Sequence, residues 1–181
     1  MAKAKEKSIS AKSYEQLVQQ TLVVFKPDAV QRGIVGEILQ RFERVGLKIV
    51  AMKMVMPNKE HYYHHYEDIG KMISRRGNMA FEENLAYMSQ GPVIAMVLEG
   101  VEAVDLVRKI SGPTEPKAAD MGTVRGDYSH ISFGYSNSKK IGVPNLIHRS
   151  GDIDEAKQEI SHWFKPEEIQ SYSTVNEKFM R

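Results

Sequence analysis

Thr21-Leu22-Val23-Val24-Phe25-Lys26-Pro27-Asp28 is a β-rich apolar run brought to a stop by proline. Pro27 supplies no N–H and its ring pushes Lys26 toward extended geometry, so the stretch reads as a first strand with an ammonium at its end. Beyond it, Ile34, Val35, Ile38, Leu39, Phe42 and Val45 recur at helical spacing and Gly46 follows, which predicts an amphipathic helix over 34–45. Leu47 to Val55 reads as a second strand ending at Pro57-Asn58, with a helix over Lys59 to Tyr66. Asp68 to Asn78 reads as an irregular loop, after which Met79, Leu85 and Met88 resume an apolar face. Pro92 to Glu99 is a third strand between Gly91 and Gly100, followed by helical spacing over Val101 to Ile110 and a loop at Gly112-Pro113-Thr114-Glu115-Pro116. Arg125 to Pro144 reads as irregular and polar, and Leu146 to His148 as a fourth strand. Asp152 and Glu155 form an Asp-x-x-Glu capping signature, with Ile153, Ala156, Ile160, Trp163 and Phe164 on one helical face. The order β, α, β, helices, β, α, β, α predicts an α+β, ferredoxin-like split βαβ sandwich: a four-stranded antiparallel sheet with helices on its faces and loop insertions.

Toward the N-terminus, Met1 to Ser13 is rich in lysine, alanine and serine, too poor in apolar residues to offset the entropy of ordering, and reads as a flexible tail. Tyr14, Leu17 and Val18 stand at helical spacing for a short turn. The expected division is an N-terminal extension over 1–20, flexible or part helical, and one domain over 21–181. A chain of 181 residues with 41% hydrophobic residues suffices for one continuous core. The net charge of +2 is spread along the sequence, which argues against an electrostatic footprint for nucleic acid. The absence of cysteine excludes a disulfide framework, a thiolate zinc site and a cysteine nucleophile, and suits a reducing compartment, the cytoplasm. No apolar run has signal-peptide or membrane-spanning length.

Asn145-Leu146-Ile147-His148-Arg149-Ser150 ends a β-type run in an imidazole just before a helix start. An unprotonated imidazole nitrogen can attack phosphorus if the other nitrogen is held by an acceptor, and Glu159 on the next helix could be that acceptor or an exposed helical carboxylate. Lys26, Arg108, Thr114 and Arg125 each fall near the end of an element, where cations and hydroxyls could converge on a polyphosphate. No Gly-x-x-x-x-Gly-Lys-Ser/Thr loop is present, so phosphate affinity must come from side chains. His61, His64 and His65 lie at helical spacings, but no acid shares their turn, and the segment reads as an ordinary polar helix with no metal.

Lys26-Pro27-Asp28-Ala29-Val30-Gln31-Arg32-Gly33, Gly91-Pro92-Val93, Gly112-Pro113-Thr114, Val124-Arg125-Gly126-Asp127 and Asn145-Leu146-Ile147-His148, in this order, resemble the nucleoside diphosphate kinases over roughly 21–172. The resemblance implies that His148 takes the γ-phosphate of a nucleoside triphosphate, typically ATP, and passes it to a nucleoside diphosphate in a ping-pong cycle. It implies that Lys26, Tyr66, Arg108, Thr114, Arg125 and Asn145 contact phosphate and ribose, that Glu159 orients the histidine and that Ser150 is that carboxylate's neighbour. It also implies Mg2+ bridging the phosphates and a homo-oligomer, hexameric or tetrameric. Exchange of one phosphoanhydride for another is nearly balanced, so positioning and charge neutralisation suffice, and a site that holds phosphate and sugar tolerates many bases.

The chain departs from the family pattern at four places. Arg149 stands where glycine follows the histidine, Ala80 with Phe81 beside it stands where the base-stacking aromatic is expected, and Gly151 stands where an acid is usual, with Asp152 next. The segments after Asp68 and from Tyr128 to Pro144 are longer than usual. Two other readings remain: a catalytically weakened homologue acting as a nucleotide-binding or protein-interaction module, and a ferredoxin-like nucleic-acid-binding module. The second lacks the clustered aromatic and basic pattern of a stacking platform.

Overall fold

The computed structural model describes residues 17–180. The tail expected over Met1 to Ser13, and Tyr14 of the expected turn, lie outside the described residues. Four strands, β1 (Val18–Phe25), β2 (Lys48–Val55), β3 (Val93–Val101) and β4 (Ile147–Arg149), form one sheet in the order β2-β3-β1-β4 with every pairing antiparallel. The expected architecture is therefore present, although β1 starts at Val18, so that the boundary expected at residue 20 falls inside a strand.

The central strand β1 is apolar on both faces because both are covered. Leu22 and Val24 join Val50, Tyr62, Phe81, Val97 and Trp163 on one side, while Val23 and Phe25 join Ile38, Phe42, Leu98, Val107 and Ile147 on the other. That two-sided burial is why the run Thr21 to Phe25 does not alternate. The short helix α1 (Pro27–Gln31) starts with proline at its first position, where the missing N–H costs nothing. Helix α2 (Val35–Arg44) lays Ile38 and Phe42 on the sheet, and Gly46, with φ of 84°, turns the chain into β2.

The region between β2 and β3 is more helical than expected. Helix α3 (Lys59–Tyr63), capped by the Asn58 side chain, runs on as a π-helical segment (His64–Ile69), and α4 (Met72–Arg76) and α5 (Asn78–Met88) follow. The segment 68–78 is thus not an irregular loop. After β3 come α6 (Ala103–Ser111), α7 (Val124–Tyr128) and α8 (Phe133–Lys139), so the polar insert expected to be irregular carries two capped helices. Thr123 and Ser132 supply the caps, short polar signals that a search for apolar periodicity passes over.

Helix α9 (Ile153–Trp163) starts at Asp152, whose carboxylate accepts from Glu155 N–H at 2.8 Å. The second half of the expected capping box is displaced by one residue, because Glu155 Oε2 accepts from Gly151 N–H at 2.5 Å. The last helix, α10 (Glu177–Met180), closes the described chain. Among the described residues no helix is long and apolar enough to cross a membrane.

Candidate active site

The loop Asn145-Leu146 that delivers β4 is fixed by the end of β1. Lys26 N–H donates to Leu146 O at 2.8 Å, and Asp28 Oδ2 accepts from Leu146 N–H at 3.1 Å. Leu146 is thereby held in the left-handed region at φ 74°, a backbone state that costs a non-glycine residue free energy and persists only when its surroundings impose it. Two residues later β4 pairs with β1 so that His148 lies opposite Val24 and Arg149 opposite Val23.

His148 Nε2 lies 2.7 Å from Glu159 Oε1, and Ser150 Oγ donates to Glu159 Oε2 at 2.6 Å while accepting from Leu22 N–H at 3.2 Å. Glu159 is fully buried, so the reading as an exposed helical carboxylate is excluded. Burial pushes the Glu159 carboxyl up, against the opposing pull of neighbouring His65 and the Ser150 hydroxyl. Burial, reinforced by the Lys26 charge, takes His148 down to about 3, which leaves the imidazole neutral at physiological pH.

His65, which the sequence reads with its neighbours as part of an ordinary polar helix, belongs to the same cluster. Its ring centroid stands 4.4 Å from that of His148, its Nδ1 is 3.7 Å from Glu159 Oε1, and that Nδ1 accepts from Trp163 Nε1–H at 3.2 Å. Burial holds it well below its ordinary pKa. The signal available in the sequence was the spacing of Glu159 and Trp163, one helical turn apart and so on one face of α9. His61 and His64 go elsewhere, packing on His162 at centroid distances of 3.9 and 4.5 Å, so the three histidines do not converge on one point. His65, His148 and Glu159 do bring ligand atoms within 4.8 Å of one another, but the facing nitrogens are already bonded to Trp163 and Glu159.

These groups form the floor of a cavity of about 760 Å³ whose wall includes Lys26, Tyr66, Arg108, Thr114, Arg125 and Asn145. All nine candidate residues therefore lie at one place: eight line the cavity, and Ser150 is bonded behind it to Glu159. Lys26 is 6% exposed, and burial lowers its ammonium to about 7. Arg125 braces the loops, donating through Nε to Asn145 O, through Nη1 to Gly112 O and through Nη2 to Ile147 O, and burial followed by the Arg149 charge takes it down to about 9. A guanidinium has five N–H groups, so two remain for a ligand. Asn145 Nδ2 donates to Thr114 O at 2.8 Å, tying that loop to β4, and Arg108 Nη1 donates to Gly151 O. Arg149 also lines the cavity, its Nε buried without a partner. A cavity with this many cations over a neutral imidazole and a buried carboxylate is suited to a polyanion and a nucleophilic nitrogen.

Comparison with known proteins gives a consistent picture. The family model described as "Nucleoside diphosphate kinase" matches residues 19–169. The chain is 44% identical over 165 residues to the nucleoside diphosphate kinase of Borreliella burgdorferi, covering 89% of this chain and 96% of that protein. It is 44% identical over 164 residues to that of Pyrococcus furiosus, covering 91% and 94%. Among solved structures, a transition-state mimic of the Borrelia burgdorferi enzyme with bound vanadate and ADP matches with a TM-score of 0.88 at 42% identity, covering 91% of this chain and 98% of that one. A Halobacterium salinarum nucleoside diphosphate kinase in complex with CDP matches with a TM-score of 0.75 at 33% identity, covering 89% and 97%.

Proposed function

Because this chain belongs to the nucleoside diphosphate kinase family, we propose that it moves the γ-phosphate of a nucleoside triphosphate to a nucleoside diphosphate through a phosphohistidine on His148. The observation that carries the residue assignment is the 2.7 Å contact between His148 Nε2 and Glu159 Oε1 at the floor of the cationic cavity. With Nε2–H donating to Glu159, Nδ1 is the nitrogen with a free lone pair. Nδ1 attacks the γ-phosphorus, the bond from that phosphorus to the β,γ-bridging oxygen breaks, and the nucleoside diphosphate leaves with the electron pair. The ring keeps its Nε2 proton, and Glu159 stabilises the positive charge that develops on it. In the second half, a terminal oxygen of the incoming diphosphate attacks the same phosphorus and the P–N bond breaks, restoring neutral His148.

Lys26, Arg108 and Arg125 neutralise phosphate charge, Thr114, Tyr66 and Asn145 position phosphate and ribose, and Ser150 fixes Glu159. Magnesium would arrive on the nucleotide phosphates and supply further charge neutralisation. Among the described cavity residues Glu159 is committed to His148 and Ser150, which leaves Glu83 and Glu155 as the carboxylates available to its hydration shell. Broad tolerance of bases, a cytoplasmic location and a homo-oligomer complete the proposal. The oligomer is supported by β2, an edge strand that exposes Met52 and Met54 to 43% and 58%, with Met56 just beyond its end 68% exposed.

The test is incubation with magnesium and γ-labelled ATP, followed by a chase with GDP and repeated on His148→Gln. Acid-labile label on the parent protein alone, moving to GDP, is expected. An unlabelled parent protein would leave a nucleotide-binding relative without turnover.

A further inference from the structure

The cavity narrows the choice of what can hold a nucleobase. Its floor is charged and buried, and of the aromatic rings in its lining Tyr66 and His65 are 8% and 1% exposed and His148 is held against Glu159. On α5, Phe81 is 2% exposed and packs edge-on against Tyr63 at 5.6 Å, so it presents no face to a ligand, and Tyr87 is 6% exposed. Ala80 offers only a methyl. Phe133, the first residue of α8, remains: its ring lines the cavity, is half-buried, and sits beneath the Arg76 guanidinium at 5.3 Å from the ring centroid.

The insert that carries Phe133 is anchored at both ends. Phe133 N–H donates to Glu115 Oε1 at 2.7 Å, one residue from Thr114 in the phosphate-side loop. On the return path Gly142 lies so close to α5 that a Cβ there would stand 2.6 Å from Tyr87 Cβ and 2.8 Å from Glu83 O. The Phe133 wall and the Arg76–Ala80 wall therefore keep a fixed separation. An aromatic ring and a planar guanidinium, both of which line this cavity, are the two kinds of group on which nucleobases stack, and neither distinguishes one base from another.

Resting on the nucleotide reading above, we propose that Phe133, delivered by the insert 128–144, is the platform on which the base stacks, with Arg76 beside it as the second flat partner. The insert takes over a task that α5, with Ala80 at the mouth and Phe81 in the core, cannot perform.

Calorimetric binding of ADP and of inorganic pyrophosphate tests this on the full chain, comparing the parent protein with Phe133→Leu and Phe133→Trp. Leucine keeps apolar volume without a π face, and is expected to weaken ADP about tenfold or more while leaving pyrophosphate unchanged; tryptophan is expected to retain ADP affinity. Unchanged ADP affinity in Phe133→Leu, or equal losses for ADP and pyrophosphate, would overturn the platform. Both ligands are read without turnover, so a protein that binds ADP through Phe133 yet forms no phosphohistidine would sink the kinase cycle and leave the platform standing.

Discussion

The carboxylate of Asp28 accepts from the backbone N–H of Leu146 at 3.1 Å, and together with the Lys26 N–H bond to Leu146 O it ties the end of the first strand to the left-handed residue that launches the histidine strand. Removing the acceptor leaves a buried N–H unpaired, which costs about 1–3 kcal/mol. Asp28→Ala is therefore expected to lower Tm by several degrees, on the scale of ~2–4 °C per kcal/mol for a chain of this size. It should also slow labelling of His148 about tenfold, because Leu146 is released to an ordinary φ. Asp28→Asn keeps an acceptor oxygen and should recover most of both in a paired thermal melt and labelling assay. A variant with parent-like melting and labelling would show that the loop holds itself.

Glu159→Gln tests how the imidazole proton is placed. An amide has one acceptor oxygen and one donor nitrogen, whereas Glu159 accepts from both His148 and Ser150. Ser150 Oγ can rotate its hydrogen to accept, but if the amide nitrogen turns to His148 the ring must carry its proton on Nδ1, the nitrogen assigned to attack. The expected loss in kcat is on the order of 10²-fold or more, with little change in KM. Nitrogen-resolved NMR of the His148 ring should show the proton on Nε2 in the parent protein and a mixed tautomer in the variant. An unshifted tautomer together with full activity would remove Glu159 from the mechanism.

Arg149 sits where a small residue would leave the cavity wall uncharged, and its buried Nε lacks a partner. Burial and the neighbouring Arg108 both push its guanidinium below the ordinary value, so an anionic ligand relieves the repulsion. Arg149→Ala is expected to raise KM for ATP about tenfold, equivalent to ~1.4 kcal/mol, and to weaken the salt dependence of KM. A fall in KM, or a rise in kcat, would identify the side chain as an obstruction instead.

The strands and the order of motifs were legible because apolar runs and proline stops are local signals, and of the nine expected site residues eight line one cavity while Ser150 is bonded behind it to Glu159. What escaped the sequence was set by tertiary contact. The two helices of the polar insert are held by Thr123 and Ser132 caps and by packing at Gly142 rather than by an apolar stripe. In sequence His65 is indistinguishable from His61 and His64; in the fold it faces His148 from the start of the π-helical segment, while His61 in α3 and His64 pack on His162. Asp28 was visible in the Lys-Pro-Asp motif, but its task depends on a residue more than a hundred positions away, which periodicity cannot report.

The pH profile should have two limbs of different origin. Lys26 has its pKa lowered to about 7, first by burial, so the free protein loses this phosphate-binding charge as pH rises above neutrality. kcat/KM for ATP, which reports the free enzyme, is expected to decline above pH 7, while kcat at saturating ATP stays flat because bound phosphate restores the proton. Lys26→Arg, always charged, should abolish that decline. On the acid side His148 remains a free base down to about 3, so the nucleophile is not lost near its ordinary 6.5. Stability is lost first: His148, His61 at about 4, and His65 and His162, all have folded pKa values below the unfolded one, chiefly through burial. Unfolding then takes up protons at any pH between the folded value and about 6.5, so stability falls as pH drops through that window. Melting followed from pH 7.5 to 4 should show a steadily falling Tm, with activity lost where folding is lost. An acid limb centred near 6.5 on a protein whose Tm has not moved would mean that His148 titrates as an exposed imidazole, and the buried, Glu159-held nucleophile would have to be abandoned.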